Sequence, residues 1–164
     1  MDAPRWLDAR EDRAWRGYRR MRRLLDLELA RELTQATGLS EPDYDVLSEV
    51  SETPQGRLRL SELADQMRWS RSRLSHHLTR MQQRGLVTRE ECETDGRGSI
   101  VALTPAGRQA IDSAAPGHVA AVRRHLIDLL TPAEVDALGA FTHRVVDHLA
   151  GSDRRHSPQR EPEV

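Results

Sequence analysis

The sequence lacks several features that define large protein classes. It has one cysteine among 164 residues, Cys92, so no disulfide can form within one chain. No apolar run approaches the length of a membrane span or of a signal-peptide core. We therefore expect a soluble, cytoplasmic protein with no membrane partner. Aromatic residues are scarce, at 4%, and the dominance of leucine, alanine and arginine favours a mainly helical chain.

The motifs of several common enzyme and metal sites are also missing. There is no glycine-rich phosphate loop, no His-Glu-x-x-His sequence and no cysteine pair. Ser75 and His76 are neighbours on a predicted helix, where successive side chains diverge by about 100°, so they cannot act together as nucleophile and base. We predict that the protein is not an enzyme and needs no cofactor.

Lysine is absent, and all 25 strongly basic side chains are arginine. Arginine suits bidentate binding of phosphates and bases, although genome composition is the better explanation for a chain-wide preference for arginine. The overall charge is −1, but residues 57–110 carry +4, residues 1–56 carry −3 and residues 111–164 carry −2. A positive central segment in a nearly neutral chain indicates a local site for a polyanion.

The positive segment contains two short helical patterns separated by about three residues, which is the spacing of a helix-turn-helix. Ser61 is predicted to cap the first helix, and Ser70 to cap the second, which ends at Gly85. The apolar residues of the second helix recur at helical spacing and predict one buried face, made of Leu74, Leu78 and Met81.

The opposite face of the second helix is polar and has one sign of charge. It presents Ser72, His76, Thr79 and Gln83. Four arginines and no carboxylate accompany it: Arg71, Arg73, Arg80 and Arg84. A solvated helix face usually mixes both signs, so this face favours a polyanionic partner.

A β-hairpin is predicted directly after this helix. Its strands contain the apolar residues of segments 86–87 and 100–103, and its turn is the sequence Thr-Asp-Gly-Arg-Gly at residues 94–98. The turn places Arg97 between two glycines, a shape that can enter a narrow anionic groove. Thr104 and Pro105 then begin another helix, with Thr104 as its N-cap.

These motifs together resemble the winged helix-turn-helix of the MarR family of bacterial transcription regulators. The similarity rests on Arg-Gly-Leu-Val at residues 84–87, the Asp-Gly-Arg-Gly turn, and Leu-Thr-Pro-Ala-Gly at residues 103–107. It extends over roughly residues 12–150. The resemblance implies a DNA-binding regulator, most often a repressor, that forms a homodimer and is released from DNA by a small, often aromatic effector.

The expected fold is mainly α with a small β-wing. We assign residues 1–38 to an N-terminal dimerisation helix, 39–108 to the winged helix-turn-helix, 109–150 to C-terminal dimerisation helices and 151–164 to a disordered tail. The helix after Thr104 is expected to run to about Leu130 with a kink or break at Pro116. A capping box at residues 131–134 starts the last helix.

Candidate DNA-binding residues follow from the outward face and the hairpin. Base edges in the major groove are assigned to Ser72, Arg73 and His76. Phosphate contacts are assigned to the helix N-terminus at Ser70 and to Arg71, Ser75, Thr79 and Arg80. Arg97 would enter the minor groove, and Asp95 would brace the wing. In a twofold dimer, two such units would read a palindromic operator in double-stranded DNA.

The effector site is the least defined part of this interpretation. Trp15, Tyr18, Met21 and Tyr44 could line it, although ordinary core and interface roles are the better explanation for them. Two alternatives keep the same scaffold: a redox regulator that uses Cys92, or a metal-responsive one that uses some of the seven histidines. A winged helix can also be a protein-interaction module. The histidines are residues 76, 77, 118, 125, 143, 148 and 156.

Overall fold

The structure is a computed structural model that describes residues 4–91 and 99–156. Within these ranges the chain forms six α-helices and three β-strands, which confirms a mainly helical fold with a small sheet. The elements are α1 (Ala9–Thr37), α2 (Glu41–Ser51), β1 (Arg57–Arg59), α3 (Leu60–Gln66), α4 (Arg71–Gln83), β2 (Val87–Glu91), β3 (Ser99–Leu103), α5 (Pro105–His125) and α6 (Pro132–His156).

The chain divides into two compact units, Met1–Val122 and Arg123–Val164. The first contains α1 to α4, the sheet and most of α5. The second contains the end of α5, a 3-10 turn at Ile127–Leu129, and α6. No helix in the described ranges is both long enough and apolar enough to cross a bilayer.

Caps place the first two helices where the sequence predicts them. α1 ends at Gly38, whose φ of 72° is a left-handed conformation that glycine adopts without steric cost. Two residues later Ser40 caps α2, since its hydroxyl accepts from the backbone N–H of Asp43. The Asp43 carboxylate accepts in return from the backbone N–H of Ser40, which completes a capping box.

The three strands form one antiparallel sheet in the order β1-β3-β2. Val101 of β3 pairs with Leu58 on one side and with Arg89 on the other. The short strand β1, just before the helix-turn-helix, therefore pairs with a strand of the wing. This pairing ties the entry and the exit of the helix-turn-helix to a common strand.

The hydrophobic core lies beneath the helix-turn-helix. It joins the apolar faces of α2, α3 and α4 to the inner face of the sheet, to Leu33 of α1 and to two residues of α5, Ile111 and Ala114. The residues that are almost wholly excluded from solvent are Val46, Leu47, Val50, Leu63, Leu74, Leu78, Met81, Val87 and Val101.

Two details of the sequence-based expectation need correction. Ser61 does not cap α3, because the helix begins at Leu60 and Arg59 occupies the capping position, where its side chain makes no capping hydrogen bond to the first turn. Arg59 pairs with Ile100 as the last residue of β1, so the chain turns from strand to helix before it reaches Ser61. α6 continues to His156, six residues into the segment that we expected to be a disordered tail.

The helix α5 also differs from expectation, because it continues through Pro116 without a break and ends at His125 instead of Leu130. Proline removes one backbone donor and leaves the carbonyl of the preceding turn without its helical partner. Both Pro116 and Asp112, whose carbonyl is affected, are exposed, so water can satisfy that group. The predicted capping box of α6 is present, with Thr131 and Glu134 bonded reciprocally.

Close approach of α5 to the chain after α4 generates the first prediction. A Cβ atom at Gly107 would lie 1.9 Å from the backbone oxygen of Leu86. Gly107→Ala should therefore displace the first turn of α5 and lower the free energy of unfolding by about 3 kcal/mol. Gly117→Ala is the matched control, because a Cβ there meets no atom within 4 Å. Urea unfolding of both variants tests this, and equal stabilities would contradict the close approach.

Candidate nucleic-acid interface

The helix α4 is oriented by its cap and its apolar face. Ser70 caps it as predicted, with its hydroxyl oxygen 3.2 Å from the backbone nitrogen of Arg73. Gly85 follows it with a φ of 71°. Because Leu74, Leu78 and Met81 are completely buried, the opposite face is turned outward. The exposed residues include six of the predicted DNA contacts: Arg71, Ser72, Arg73, His76, Thr79 and Arg80.

Trp69 supports the start of this exposed face. The guanidinium of Arg73 lies over the Trp69 ring, 4.0 Å from its centroid, in a cation–π contact. The same ring meets the edge of His77 at a centroid distance of 5.5 Å. Arg73 is therefore stacked against an indole at the beginning of α4, a contact that the sequence interpretation did not include.

Arg89 of β2 joins the wing strand to α4. Its guanidinium donates to the backbone carbonyl of Ser75, to the Ser75 hydroxyl at 3.3 Å and to the Thr79 hydroxyl at 3.1 Å. The Thr79 hydroxyl donates to the Ser75 carbonyl at 3.0 Å. That hydroxyl proton is thus used within the chain, whereas the Ser75 hydroxyl accepts from Arg89 and keeps its own proton for another acceptor.

A buried carboxylate joins α4 to α2. Asp43 is 3% exposed, and one of its oxygens accepts from Arg84 at 2.6 Å. Its other oxygen lies 3.1 Å from Nε2 of His77, a contact that is electrostatic because Nε2 lacks hydrogen-bond geometry. Arg84 also donates to the carbonyl of Gly38 at 3.3 Å. One of the four arginines expected on the outward face is therefore committed to an ion pair at the end of the helix.

The pKa values of this cluster shift in the directions that favour one protonation state. Burial acts to raise the pKa of Asp43, but hydrogen bonds from Arg84 and Ser40 outweigh it, and the pKa is lowered. Burial lowers the pKa of His77 and exceeds the opposing effect of the Asp43 charge. An ionised Asp43 beside a neutral His77 is the resulting state at neutral pH.

Sequence reasoning missed three residues of this interface: Asp43, His77 and Arg89. A signal existed for two of them. His77 falls beside Leu74 and Leu78 on the helical repeat, and Asp43 stands three residues after the capping Ser40. Arg89 gave no comparable signal, because its contact depends on how the strand crosses the helix. The predicted wing residues Asp95 and Arg97, together with Cys92, lie outside the described residues.

The four candidate effector residues are not brought into one site within the first compact unit. Trp15 and Tyr18 stack on α1 at 5.9 Å, and with Met21 they are exposed. Tyr44 lies on α2 against His118, at a ring distance of 4.4 Å. A separate cavity of about 160 Å³ lies between α1 and α5, and none of these four residues lines it. Its lining is Leu29, Glu32, Leu33, Ala36, Thr37, Ser113, Ala114, Gly117, His118 and Ala121.

The buried cluster generates the second prediction. Asp43→Asn should lower the free energy of unfolding at pH 7 by about 1–2 kcal/mol, because it removes the charge that Arg84 neutralises. Asp45→Asn, on the exposed side of α2, is the control. Since the pKa of folded Asp43 lies below its ordinary 3.8, the wild-type advantage should be complete above that pH and disappear as pH falls through the lower value. A difference in stability that persists in strong acid would contradict this account.

Comparison with known proteins identifies the scaffold. The MarR family model matches residues 37–98 of the chain. AbsC, a MarR family transcriptional regulator from Streptomyces coelicolor, is 42% identical, with a TM-score of 0.87, over 90% of this chain and 99% of that one. Sco3205, a MarR family transcriptional regulator from the same organism solved in complex with DNA, is 40% identical with the same TM-score, over 91% of this chain and 93% of that one.

A more distant structure agrees in fold alone. The PcaV transcriptional regulator from Streptomyces coelicolor is 22% identical, with a TM-score of 0.67, over 84% of this chain and 98% of that one. No curated protein sequence matches the chain. The similarity to AbsC and Sco3205 covers nearly all of each protein at high identity, and these relatives are regulators, not enzymes. The chain therefore belongs to the MarR family of transcriptional regulators.

Proposed function

We propose that this regulator binds double-stranded DNA sequence-specifically through α4. The observation that carries the proposal is the outward face of α4, which is exposed, rich in arginine and without a carboxylate. The first turn of the helix has no acidic residue either, so its positive dipole end is available to a phosphate. Sco3205, 40% identical, has been solved in complex with DNA, which supports the same partner here.

The residues of this face fall into two groups in the proposal. Ser72, Arg73 and His76 read base edges in the major groove. The phosphate contacts are made by Ser70, Arg71, Ser75, Thr79 and Arg80. Thr79 is the weakest member of the second group, because its hydroxyl proton is bonded to the Ser75 carbonyl. Arg97 enters the minor groove and Asp95 braces the wing.

We also propose that the protein acts as a homodimer on a palindromic operator. Large apolar side chains are exposed on α1, among them Trp15 at 50% and Leu24 at 57%. The helix α6 exposes Phe141, Val145, Val146 and Leu149 on its own surface. Exposed apolar residues in such number are typical of surfaces that another protein covers. A second copy related by a twofold axis would cover them and present two α4 helices to half-sites about 10 base pairs apart.

The regulatory part of the proposal is repression relieved by a small effector. The cavity between α1 and α5 supports it better than the exposed aromatic residues of α1. Its lining is mostly apolar but includes Glu32 and His118, whose Nδ1 is buried and has no hydrogen-bond partner among the described residues. A buried polar atom without a partner is costly, and a ligand that donates to it would recover that cost.

The DNA interface yields the third prediction, a comparison of two substitutions. His76→Ala should relax the base preference at one or two symmetric positions of the operator, with little effect on nonspecific DNA. Arg97→Ala should weaken binding to many sequences by about 1–3 kcal/mol and reduce the salt dependence of binding. Selection from random duplexes, with salt titrations of the selected sequence, measures both effects.

Thermal unfolding serves as the control for these variants: His76 is exposed on α4, and we expect both variants to melt as the wild type does. If the wild type selects no DNA sequence but is captured by a protein, the winged helix is an interaction module instead. If both variants select the wild-type motif with wild-type affinity, the assignment of the DNA-binding face is wrong.

The dimer yields the fourth prediction. Deleting residues 132–164 removes α6 and should give a monomer or aggregate, because the apolar residues that it shared with a second copy are lost. Deleting residues 157–164, which follow the end of α6, is the control and should leave the dimer intact. Light scattering after size exclusion measures the mass of each. A well-behaved dimer after the larger deletion would show that α6 is not part of the interface.

A further inference from the structure

His77 has a different neighbour at each of its two ring nitrogens. It lies on the inner side of α4 and is 7% exposed. Nδ1 is 3.0 Å from Nη2 of Arg80, one turn along the helix. Nε2 is 3.1 Å from Oδ1 of Asp43, which α2 supplies. The imidazole thus lies between a buried carboxylate and an arginine of the exposed face.

The chemistry of Arg80 determines the tautomer of His77. A guanidinium has only donors and stays protonated in proteins, so Nδ1 must accept the hydrogen bond from Arg80. A neutral imidazole then carries its single proton on Nε2, on the side of Asp43. The negative charge of Asp43 stabilises that proton, even though the contact lacks ideal direction. Asp43 therefore favours the tautomer in which Nδ1 can hold Arg80.

We propose that His77 is a positioning residue for DNA binding, which holds the guanidinium of Arg80 where a DNA phosphate meets it. The inference rests on the proposed function, since it assigns a task to a residue of the face that binds DNA. Arg80 itself is exposed, and a free arginine loses considerable rotamer entropy when it is fixed in a complex. One hydrogen bond to His77 restricts that freedom in advance and leaves the other guanidinium donors available for phosphate oxygens.

The arrangement depends on the protonation state of His77. The charged groups that face the imidazole are Asp43 from α2, and Arg73 and Arg80 from α4 itself. A second proton would occupy Nδ1, remove the acceptor for Arg80 and place two cations in contact. Burial lowers the pKa of His77, so the neutral form prevails at pH 7 and above. Arg84 neutralises the second oxygen of Asp43 and leaves the first facing His77.

A double-mutant cycle tests the proposal, with the duplex selected by the wild-type protein as the probe. Arg80→Ala should weaken binding about tenfold and reduce the salt slope by about one. His77→Leu, which keeps the packing but removes the acceptor, should weaken binding roughly threefold. The double variant should bind no more weakly than Arg80→Ala alone. His77→Gln, whose side-chain oxygen can accept from Arg80, should recover part of the loss.

Arg71→Ala provides the matched control for this cycle. Arg71 is also a proposed phosphate contact on α4, but it does not contact His77. The fold-loss of DNA affinity caused by Arg71→Ala should therefore multiply with the loss caused by His77→Leu. Melting curves are recorded for every variant, and affinities are compared only at temperatures where each is folded. If His77→Leu is less stable, two results still distinguish a positioning role from a packing role. They are the partial recovery of affinity by His77→Gln and the coupling between His77 and Arg80 in the double variant.

A pH series completes the test. The affinity advantage of the wild type over His77→Leu should be constant from pH 8 to 7 and shrink as pH falls below the ordinary histidine value of 6.5. Equal binding by the wild type and His77→Leu, or losses that simply multiply in the double variant, would overturn the role of His77. Those results leave the proposed function intact, whereas a wild-type protein that selects no duplex would refute the proposed function itself.

Discussion

The orientation of α4 depends on one buried carboxylate beneath it, that of Asp43, which forms an ion pair with Arg84 and contacts the neutral ring of His77. Three buried apolar side chains hold the helix against the core, at about 1.5–3 kcal/mol each. Such contacts are non-directional and would tolerate small rotations of the helix. The contacts of the Asp43 carboxylate would not tolerate such a rotation, because they join it to two points of α4. These points are His77 near the middle of the helix and Arg84 at its end. Rotation of α4 would take both contacts away from the buried carboxylate and leave it only its capping hydrogen bond from Ser40, which is expensive in a low-dielectric interior.

The same carboxylate explains why the outward face of α4 keeps one sign of charge. A helix packed on an acidic neighbour would lose part of its positive potential if that charge were uncompensated. Here the charge of Asp43 is balanced by Arg84, which folds back onto α2 and the carbonyl of Gly38. The remaining arginines of α4 are therefore not required to neutralise it. One arginine of the segment serves the fold, and the others stay on the exposed side.

Much of this architecture was predictable from local rules. The helix ends at Ser40, Gly38, Ser70 and Gly85 follow from caps whose chemistry acts within a few residues. The buried face of α4 follows from its helical periodicity. The missed contacts join positions that are distant in sequence. Asp43 and Arg84 are 41 residues apart, and no local pattern relates them. The position of Ser61 was also mispredicted, because sheet pairing at Arg59 overrode a favourable capping residue.

The attachment of Arg89 to α4 has a consequence for how such a regulator can acquire a new target. The guanidinium binds the main-chain carbonyl of Ser75 and two hydroxyls on the side of the helix that faces the wing strand. Ser72 and His76 take no part in that attachment. If these two residues read bases as proposed, their substitution can change the preferred bases without altering the angle between β2 and α4. Positions 75 and 79 lack that freedom, because they bind Arg89. The surface of α4 therefore contains positions that can change in evolution and positions that fix the orientation of β2 relative to α4.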